Sequence, residues 1–217
     1  MRKLLLLLTL AFSLVDTSSL FAQLDNTHYI PPMFGRENFG DHYIVLSTPS
    51  ATPFDVTITD GAGNLITTQT ISNALSSSYS LGTGNGTEIL VTEAELNNIM
   101  TDKGLILTGP EPFFVNIRVF ADPQAGSLTS KGSKAAFGTD FRTGHLFNNT
   151  GYSNGKSNMF SFMATEDNTT VTVSDIRPGV IFRGTTPAGA PLTSPDVTVT
   201  LDAGESYVMA AYIDETN

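Results

Sequence analysis

The sequence contains no cysteine and no tryptophan, and only 15% of its 217 residues are charged. Without cysteine the chain forms no disulfides, thiolate metal sites or cysteine nucleophiles, so its stability must come from core packing. Basic residues are scarce, since 11 Lys and Arg face 21 Asp and Glu, for a net charge of −10. Nucleic-acid binding needs clustered Lys and Arg, and this balance therefore argues against nucleic acid and against anionic membrane surfaces.

No apolar run is long enough for a membrane-spanning helix, which needs about 20 residues. The run Leu4–Val15 has 12 residues and follows two basic residues. With the small residue Ala22 after it, this arrangement predicts a secretory signal peptide over residues 1–22, cleaved before Gln23. A membrane anchor is the alternative, and the length of the run disfavours it. We therefore expect a secreted protein.

The composition suits short strands joined by tight turns. The chain is 40% hydrophobic and has 19 Gly and 11 Pro, a mixture more typical of strands than of helices. Alternating apolar and polar residues indicate individual strands, because successive side chains of a strand point to opposite faces. The two clearest apolar faces are Phe54, Val56 and Ile58, and Phe113, Val115, Ile117 and Val119. These patterns predict an all-β fold class.

One stretch departs from this pattern and predicts a short helix near 92–103. Thr92 and Glu95 have the spacing of a capping box, in which the two side chains satisfy backbone N–H groups of the first helical turn. Apolar residues on one helical face follow, and Gly104 ends the stretch. These apolar residues are Leu96, Ile99 and Met100.

Two segments resemble each other and predict a tandem repeat. Pro53–Asp60 reads PFDVTITD, and Met159–Asp175 ends in TTVTVSD, with Val56 against Val171 at an offset of 115 residues. Within the second segment, MFSFMAT and NTTVTVSD are predicted to pair as strands. The period suits one β-sandwich per repeat. Two strand pairs of chance similarity are the alternative.

The repeat divides the chain beyond the signal into three parts. We expect a first β-sandwich unit over 23–121, an ordered connector over 122–155 and a second β unit over 156–217. The first unit ends in GLILTGPEPFFVNIRVF, which has no counterpart in the second. We therefore expect the second unit to be incomplete and the chain to be part of a longer polypeptide.

No motif predicts catalysis, and we assign no catalytic, cofactor-binding or metal-ligating residue. GYSNG, with Ser153 at its centre, has the form of a hydrolase nucleophile elbow, but a strand pattern follows it where a helix is required. The histidines lack the spacing of helical zinc sites, and the carboxylate pairs lie at turns or on the predicted helix. Asp60, Asp167 and Asp175 border turns and leave calcium as an alternative. The histidines are His28, His42 and His145, and the carboxylate pairs are Glu93 with Glu95 and Glu166 with Asp167.

The connector holds the candidate binding surface. It is rich in Gly, Ser, Asn and Thr, yet it carries Phe137, Phe141, Arg142 and His145, which combine aromatic, cationic and apolar groups. Loops of this length are usually functional or ordered by packing. The simpler interpretation, which we favour at this point, is that the Phe rings plug the junction between two sandwiches.

Four segments together resemble the IgGFc-binding-protein N-terminal domain family, from Asn26 to the end of the chain: HYIPP, YIVLSTP, MFSFMATEDNTTVTV and LDAGESYVMAAY. They are similar to versions in large secreted, gliding-motility-associated proteins of Bacteroidetes-type bacteria. The resemblance implies a surface-displayed, non-catalytic adhesion module whose partner is an extracellular protein or glycan. Antibody binding belongs to animal members of the family and is not carried over. An exported hydrolase and a passive spacer are the alternatives.

Overall fold

The computed structural model describes residues 23–35, 40–121, 124–143, 157–176, 180–184 and 196–213. The predicted signal peptide, Ser153 and His145 lie outside these residues. The fold is all-β, as the sequence predicts. Within the described residues its helices are one α-helical turn, α1 (Ser133–Ala136), and one 3₁₀ turn (Gly84–Gly86). None of the described helices is long and apolar enough to cross a membrane.

Short strands, nearly all paired antiparallel, build the described structure. The strands in chain order are β1 (Asp25–Ile30), β2 (Met33–Phe34), β3 (Asp41–Ser47), β4 (Phe54–Asp60), β5 (Leu65–Ile71), β6 (Ser77–Thr83), β7 (Leu90–Val91), β8 (Ile99–Met100), β9 (Leu105–Ala121), β10 (Gln124–Thr129), β11 (Asn158–Met163), β12 (Thr169–Val173), β13 (Val180–Phe182), β14 (Val197–Leu201) and β15 (Ser206–Ile213). Seven of them form one sheet in the order β5-β4-β9-β3-β6, with β1 and β10 also paired to β9. Strands β11, β15 and β13 form a second sheet with β8, while β12 pairs with β14 and β2 pairs parallel with β7.

Strand β9 is the element around which the larger sheet is built. Its 17 residues pair with β1 and β4 in the N-terminal half and with β3 and β10 in the C-terminal half. Between the halves, residues 109–112 have no ladder partner among the described strands, and the two prolines there have no N–H to donate. From the sequence, GLILTG and FFVNIRVF are predicted to be two strands separated at the prolines. The structure instead has one strand that passes from one group of partners to the other.

The alternating apolar residues of β4 and β9 form the centre of the core. Both predicted faces are confirmed, because their central members are buried and only Val119, near the end of β9, is partly buried. The confirmed positions are Phe54, Val56, Ile58, Phe113, Val115 and Ile117. Residues from β1, β3 and β5 pack into the same cluster. The two groups of strands therefore enclose one apolar core in a sandwich-like arrangement.

Strands β11 to β15 form a smaller region in which strands consecutive in the chain lie in different sheets. Strand β11 pairs with β15, and β12 pairs with β14, so the predicted pairing of MFSFMAT with NTTVTVSD is wrong. The cause lies at the turns, where the Ala164 N–H donates to the Glu205 carbonyl at 2.9 Å and the Gly204 N–H donates to the Ala164 carbonyl at 2.9 Å. These two turns lie side by side, and each carries the chain from one sheet to another.

The segments aligned in the predicted repeat also differ in their pairing. Strand β4 pairs with the next strand, β5, whereas β12 pairs with β14 and the strand after it, β13, pairs with β15. The similarity of PFDVTITD to TTVTVSD therefore reflects strand alternation and not an equivalent hairpin. The division of the chain at residues 121 and 155 stays a prediction.

Residues 92–103, all of which are described, form turns followed by β8 instead of the predicted helix. The capping contacts are present, since the Glu95 carboxylate accepts from the Thr92 N–H at 2.6 Å and from Thr92 Oγ1 at 2.9 Å. A helix does not continue, because Asn97 has a φ of 61° and its N–H donates to the Val208 carbonyl of β15 at 3.0 Å. Pairing with a distant strand thus overrides the local helix signal.

Strand β8 comes from the N-terminal part of the chain, which forms the larger sheet, and it pairs with β15 of the smaller region. Met100 pairs with Ser206, and Ile99 pairs with Tyr207. A separate apolar cluster lies at this connection and draws residues from both parts of the chain. Its members are Phe34, Val91, Leu96, Met100, Val208 and Ala210.

Candidate functional site

The candidate binding residues of the connector that the structure describes, Phe137, Phe141 and Arg142, lie at the surface. The side chains of Phe137 and Phe141 are 47% and 62% exposed, and Arg142 is exposed. The interpretation in which these rings plug a junction between sandwiches is therefore wrong. His145 lies outside the described residues.

These side chains belong to one continuous stretch, Lys131–Thr143, which we call the aromatic-basic segment. Most of its residues are exposed. The Phe137 ring packs edge-on against Tyr29 of β1, with ring centroids 5.4 Å apart. The Phe141 ring lies against Gly138, where an added Cβ would be 3.1 Å from Phe141 Cζ. The rings are thus exposed and yet held by local contacts.

The start of the aromatic-basic segment is fixed by Asp25, which is only 3% exposed. Its carboxylate accepts hydrogen bonds from Ser133 Oγ at 2.6 Å and from the Lys134 N–H at 2.9 Å. Burial alone would raise the pKa of Asp25, but the hydrogen bonds from Ser133, Lys134 and Asn26 outweigh it and hold the pKa below its usual 3.8. Gly132 lies so close to Asp25 that a Cβ added to Gly132 would be 2.5 Å from the Asp25 Cβ. A charged carboxylate therefore ties α1 to β1.

A second buried contact, between His28 and Ser130, holds the residues just before the segment. His28 Nε2 lies 3.1 Å from the Asp25 carbonyl and 3.0 Å from the Phe113 carbonyl. Since carbonyl oxygens only accept, Nε2 carries the hydrogen and Nδ1 accepts from Ser130 Oγ at 2.8 Å. Ser130 Oγ in turn accepts from the Gly132 N–H at 3.2 Å. One neutral imidazole thus links β1, β9 and the start of the segment.

The Ser130 and His28 pair has the hydroxyl-to-imidazole distance by which a base activates a serine nucleophile. Ser130 is 6% exposed and His28 is 0% exposed, however, and every polar atom of the pair has a structural partner. We therefore interpret the pair as a structural contact that holds the start of the segment against β1. Sequence reasoning missed it, because the two residues are 102 positions apart and neither lies in a recognisable motif.

Acidification is expected to destabilise the fold through these histidines. Burial lowers the pKa of His28 below its ordinary 6.5, although the Asp25 and Phe113 carbonyls oppose this, and burial also lowers the pKa of His42. The unfolded chain then binds more protons than the folded chain, so the stability contribution is full above pH 6.5 and falls as the pH drops below it. The pKa of Asp25 is lowered, so the stability that its carboxylate contributes is lost only as the pH falls below 3.8 and the carboxylate becomes protonated.

Urea unfolding at about pH 7.5 and about pH 5.5 measures this effect. The midpoint is expected to be lower at the acidic pH, and His28→Gln is expected to reduce the difference to the part that His42 contributes. Equal midpoints at the two pH values would contradict the assignment of His28 as a buried neutral imidazole.

Three of the four carboxylates in the predicted pairs, those of Asp167, Glu93 and Glu95, have structural partners, whereas the contact of Glu166 is made by its backbone carbonyl. Asp167 accepts from the Ala203 N–H at 3.0 Å, and the Glu166 carbonyl accepts from Thr169 Oγ1 at 2.6 Å. The remaining contacts are ion pairs of Glu93 with Arg183 and of Glu95 with Lys103. They act at turns and at the connection around β8.

The calcium alternative receives no support from the placement of its residues. The Asp60 carboxylate accepts from the Asn64 N–H and side chain at 2.8 and 2.9 Å, and Asp175 has a φ of 58° at the end of β12. Across the described part of the chain, no three His, Asp or Glu residues come together as a metal site. Asp60, Asp167 and Asp175 are thus not brought together.

The fold and surface define an all-β, sandwich-like protein that presents an exposed aromatic-basic segment on buried polar anchors. Residues 126–216 match the protein family described as "IgGFc binding protein". This stretch includes the aromatic-basic segment and β11 to β15, covers less than half of the chain, and is shorter than the resemblance predicted from Asn26 onward. No curated protein and no solved structure matches the chain.

Proposed function

We propose that the protein is a secreted, surface-displayed binding and adhesion module without catalytic chemistry, and that its contact surface is the aromatic-basic segment. The observation that carries this proposal is the exposure of Phe137 and Phe141 on a segment whose start is fixed by Asp25 and His28. The family match supports it, because the matched residues include this segment and the family is described by binding.

Exposed aromatic rings on an anchored base suit a protein interface. Aromatic residues and Arg are enriched where partners bury most of their binding energy. A surface that is already positioned loses less conformational entropy on binding than a free loop does. The contact of Phe137 with Tyr29, and of α1 with Asp25, supplies that positioning.

The proposed partner is an extracellular protein or a glycan, and the proposed setting is a larger secreted protein of a gliding, Bacteroidetes-type bacterium. An exported hydrolase is the alternative; the Ser130 and His28 pair has the distance that such an enzyme needs, but both residues are buried and have structural partners. A passive spacer would bind nothing. The three candidates give different results in one set of assays.

Phe141→Ala is expected to weaken binding at least about tenfold without changing the fold, because a ring that is 62% exposed contributes little to the core. The measurement is retention of extracellular proteins and array glycans by the immobilised chain, together with urea unfolding of the variant. Leu65→Ala, at a side chain that is 66% exposed on β5, is the matched control and should leave binding unchanged.

The same assays test the other candidates. Absence of binding to every protein and glycan would indicate a spacer. Hydrolysis of ester or glycoside substrates that Ser130→Ala or Ser153→Ala abolishes would indicate a hydrolase and overturn the binding proposal.

A further inference from the structure

The aromatic-basic segment carries a charge opposite to that of the rest of the chain. It has three basic residues, Lys131, Lys134 and Arg142, and one acidic residue, Asp140, in a chain whose net charge is −10. All four side chains are exposed. This local positive charge favours acidic partners at the segment, whereas the acidic remainder of the protein repels them.

The three cations of the segment are not engaged in ion pairs with described residues. Those pairs are formed by other cations, Lys103 with Glu95 and Arg183 with Glu93. Lys134 helps to hold the charge on Asp25, but its contact with that carboxylate is through its backbone N–H. The charged side chains are therefore exposed in the same stretch of chain as the two exposed rings.

We infer that the partner of the aromatic-basic segment is a protein surface in which acidic residues surround an apolar patch, an inference that rests on the proposed function. Charge complementarity at a rim steers the encounter and selects the partner, while apolar contact at the centre supplies affinity. Phe137 and Phe141 offer the exposed apolar groups, and Lys131, Lys134 and Arg142, which lie near them in the chain, offer the positive charges.

Other acidic ligands fit this surface less well. Nucleic acid needs many phosphate contacts, and the chain beyond the segment is acidic. The exposed rings are phenylalanines, which have no polar atom with which to hydrogen-bond a sugar, and the chain has no tryptophan. Phe rings pack well on apolar side chains, as a protein partner provides.

A random peptide library selected on the full chain tests the inference even while the natural partner is unidentified. Enriched peptides are expected to combine Asp or Glu with apolar residues, and their affinity is expected to fall with added salt. Arg142→Glu is expected to weaken these peptides at least about tenfold. Arg118→Glu makes the same charge change at an exposed position of β9 outside the segment and should have little effect.

The outcomes separate this inference from the proposed function. If the segment binds peptides and Phe141→Ala removes that binding, but the peptides are neutral or basic, the acidic partner is overturned and the binding function survives. Equal effects of Arg142→Glu and Arg118→Glu would likewise overturn it, since they would report only the net charge. Binding of sulfated glycans in place of peptides would overturn the protein partner. Binding that Phe141→Ala leaves intact would overturn the proposed function itself.

Discussion

Phe113→Ala is expected to lower the free energy of unfolding by about 3–5 kcal/mol, the range for truncating a buried aromatic side chain. Phe113 is 0% exposed, and it lies where β9 passes from one group of partner strands to the other. Its ring contacts the His28 ring at 4.7 Å between centroids. Because small domains are stable by only about 5–15 kcal/mol, the loss would be a large part of the total.

Phe141→Ala is the matched control for this experiment, since it removes the same atoms from a ring that is 62% exposed. Its free energy of unfolding is expected to stay within about 0.5 kcal/mol of the parent. Phe113→Leu leaves a smaller cavity and provides a folded variant if Phe113→Ala does not fold. Similar losses for Phe113→Ala and Phe141→Ala in urea unfolding would contradict the placement of Phe113 at the centre of the core.

Phe113 also connects the core to the proposed binding surface. Its carbonyl accepts from His28 Nε2, and His28 Nδ1 accepts from Ser130 at the start of the aromatic-basic segment. Phe113→Ala keeps this carbonyl but removes the ring that packs on the His28 ring, so the change in the core is expected to disturb the imidazole that holds the start of the segment. Destabilising Phe113 should weaken binding through this contact, whereas Phe141→Ala should weaken binding without affecting the core.

The parts of this fold that the sequence predicts are those encoded by short-range alternation. Phe54, Val56 and Ile58 alternate with polar residues, and the face they predict is the buried face. The predicted helix fails although Thr92 and Glu95 make their capping contacts, because β8 pairs with β15, about a hundred residues away in the chain. Local patterns carry no information about such long-range pairing.

The candidate site divides in the same way. The residue types of Phe137, Phe141 and Arg142 single out the connector in the sequence, but only the structure decides between a buried plug and an exposed surface. The His28 and Ser130 contact gives no sequence signal, since it depends on how β1 and the end of β10 are brought together on β9.

The contact between two turns, one from each β region, makes Gly204 the position where a single methyl group should have the second large effect. A Cβ on Gly204 would lie 2.0 Å from the Gly61 carbonyl oxygen, and Gly204 has a φ of +85°. Gly61 is in the turn between β4 and β5, and Gly204 is in the turn between β14 and β15. The methyl group of Gly204→Ala would therefore meet backbone atoms, which cannot rotate away as a side chain does.

Gly63→Ala separates this steric effect from the cost of the backbone conformation. Gly63 has nearly the same φ, +83°, but no atom lies within 4 Å of a Cβ placed there. Gly63→Ala should lower the free energy of unfolding only by the cost of a left-handed backbone, about 1–2 kcal/mol. Gly204→Ala should lower it by about 1–3 kcal/mol more, because the added methyl group overpacks the contact. Urea unfolding of both variants measures the difference. Equal losses would show that the two turns can separate at no cost, and the packing of the smaller β region against the larger sheet would then rest on other contacts, among them β8 with its apolar cluster and the hydrogen bond from Ser161 Oγ to the Pro32 carbonyl.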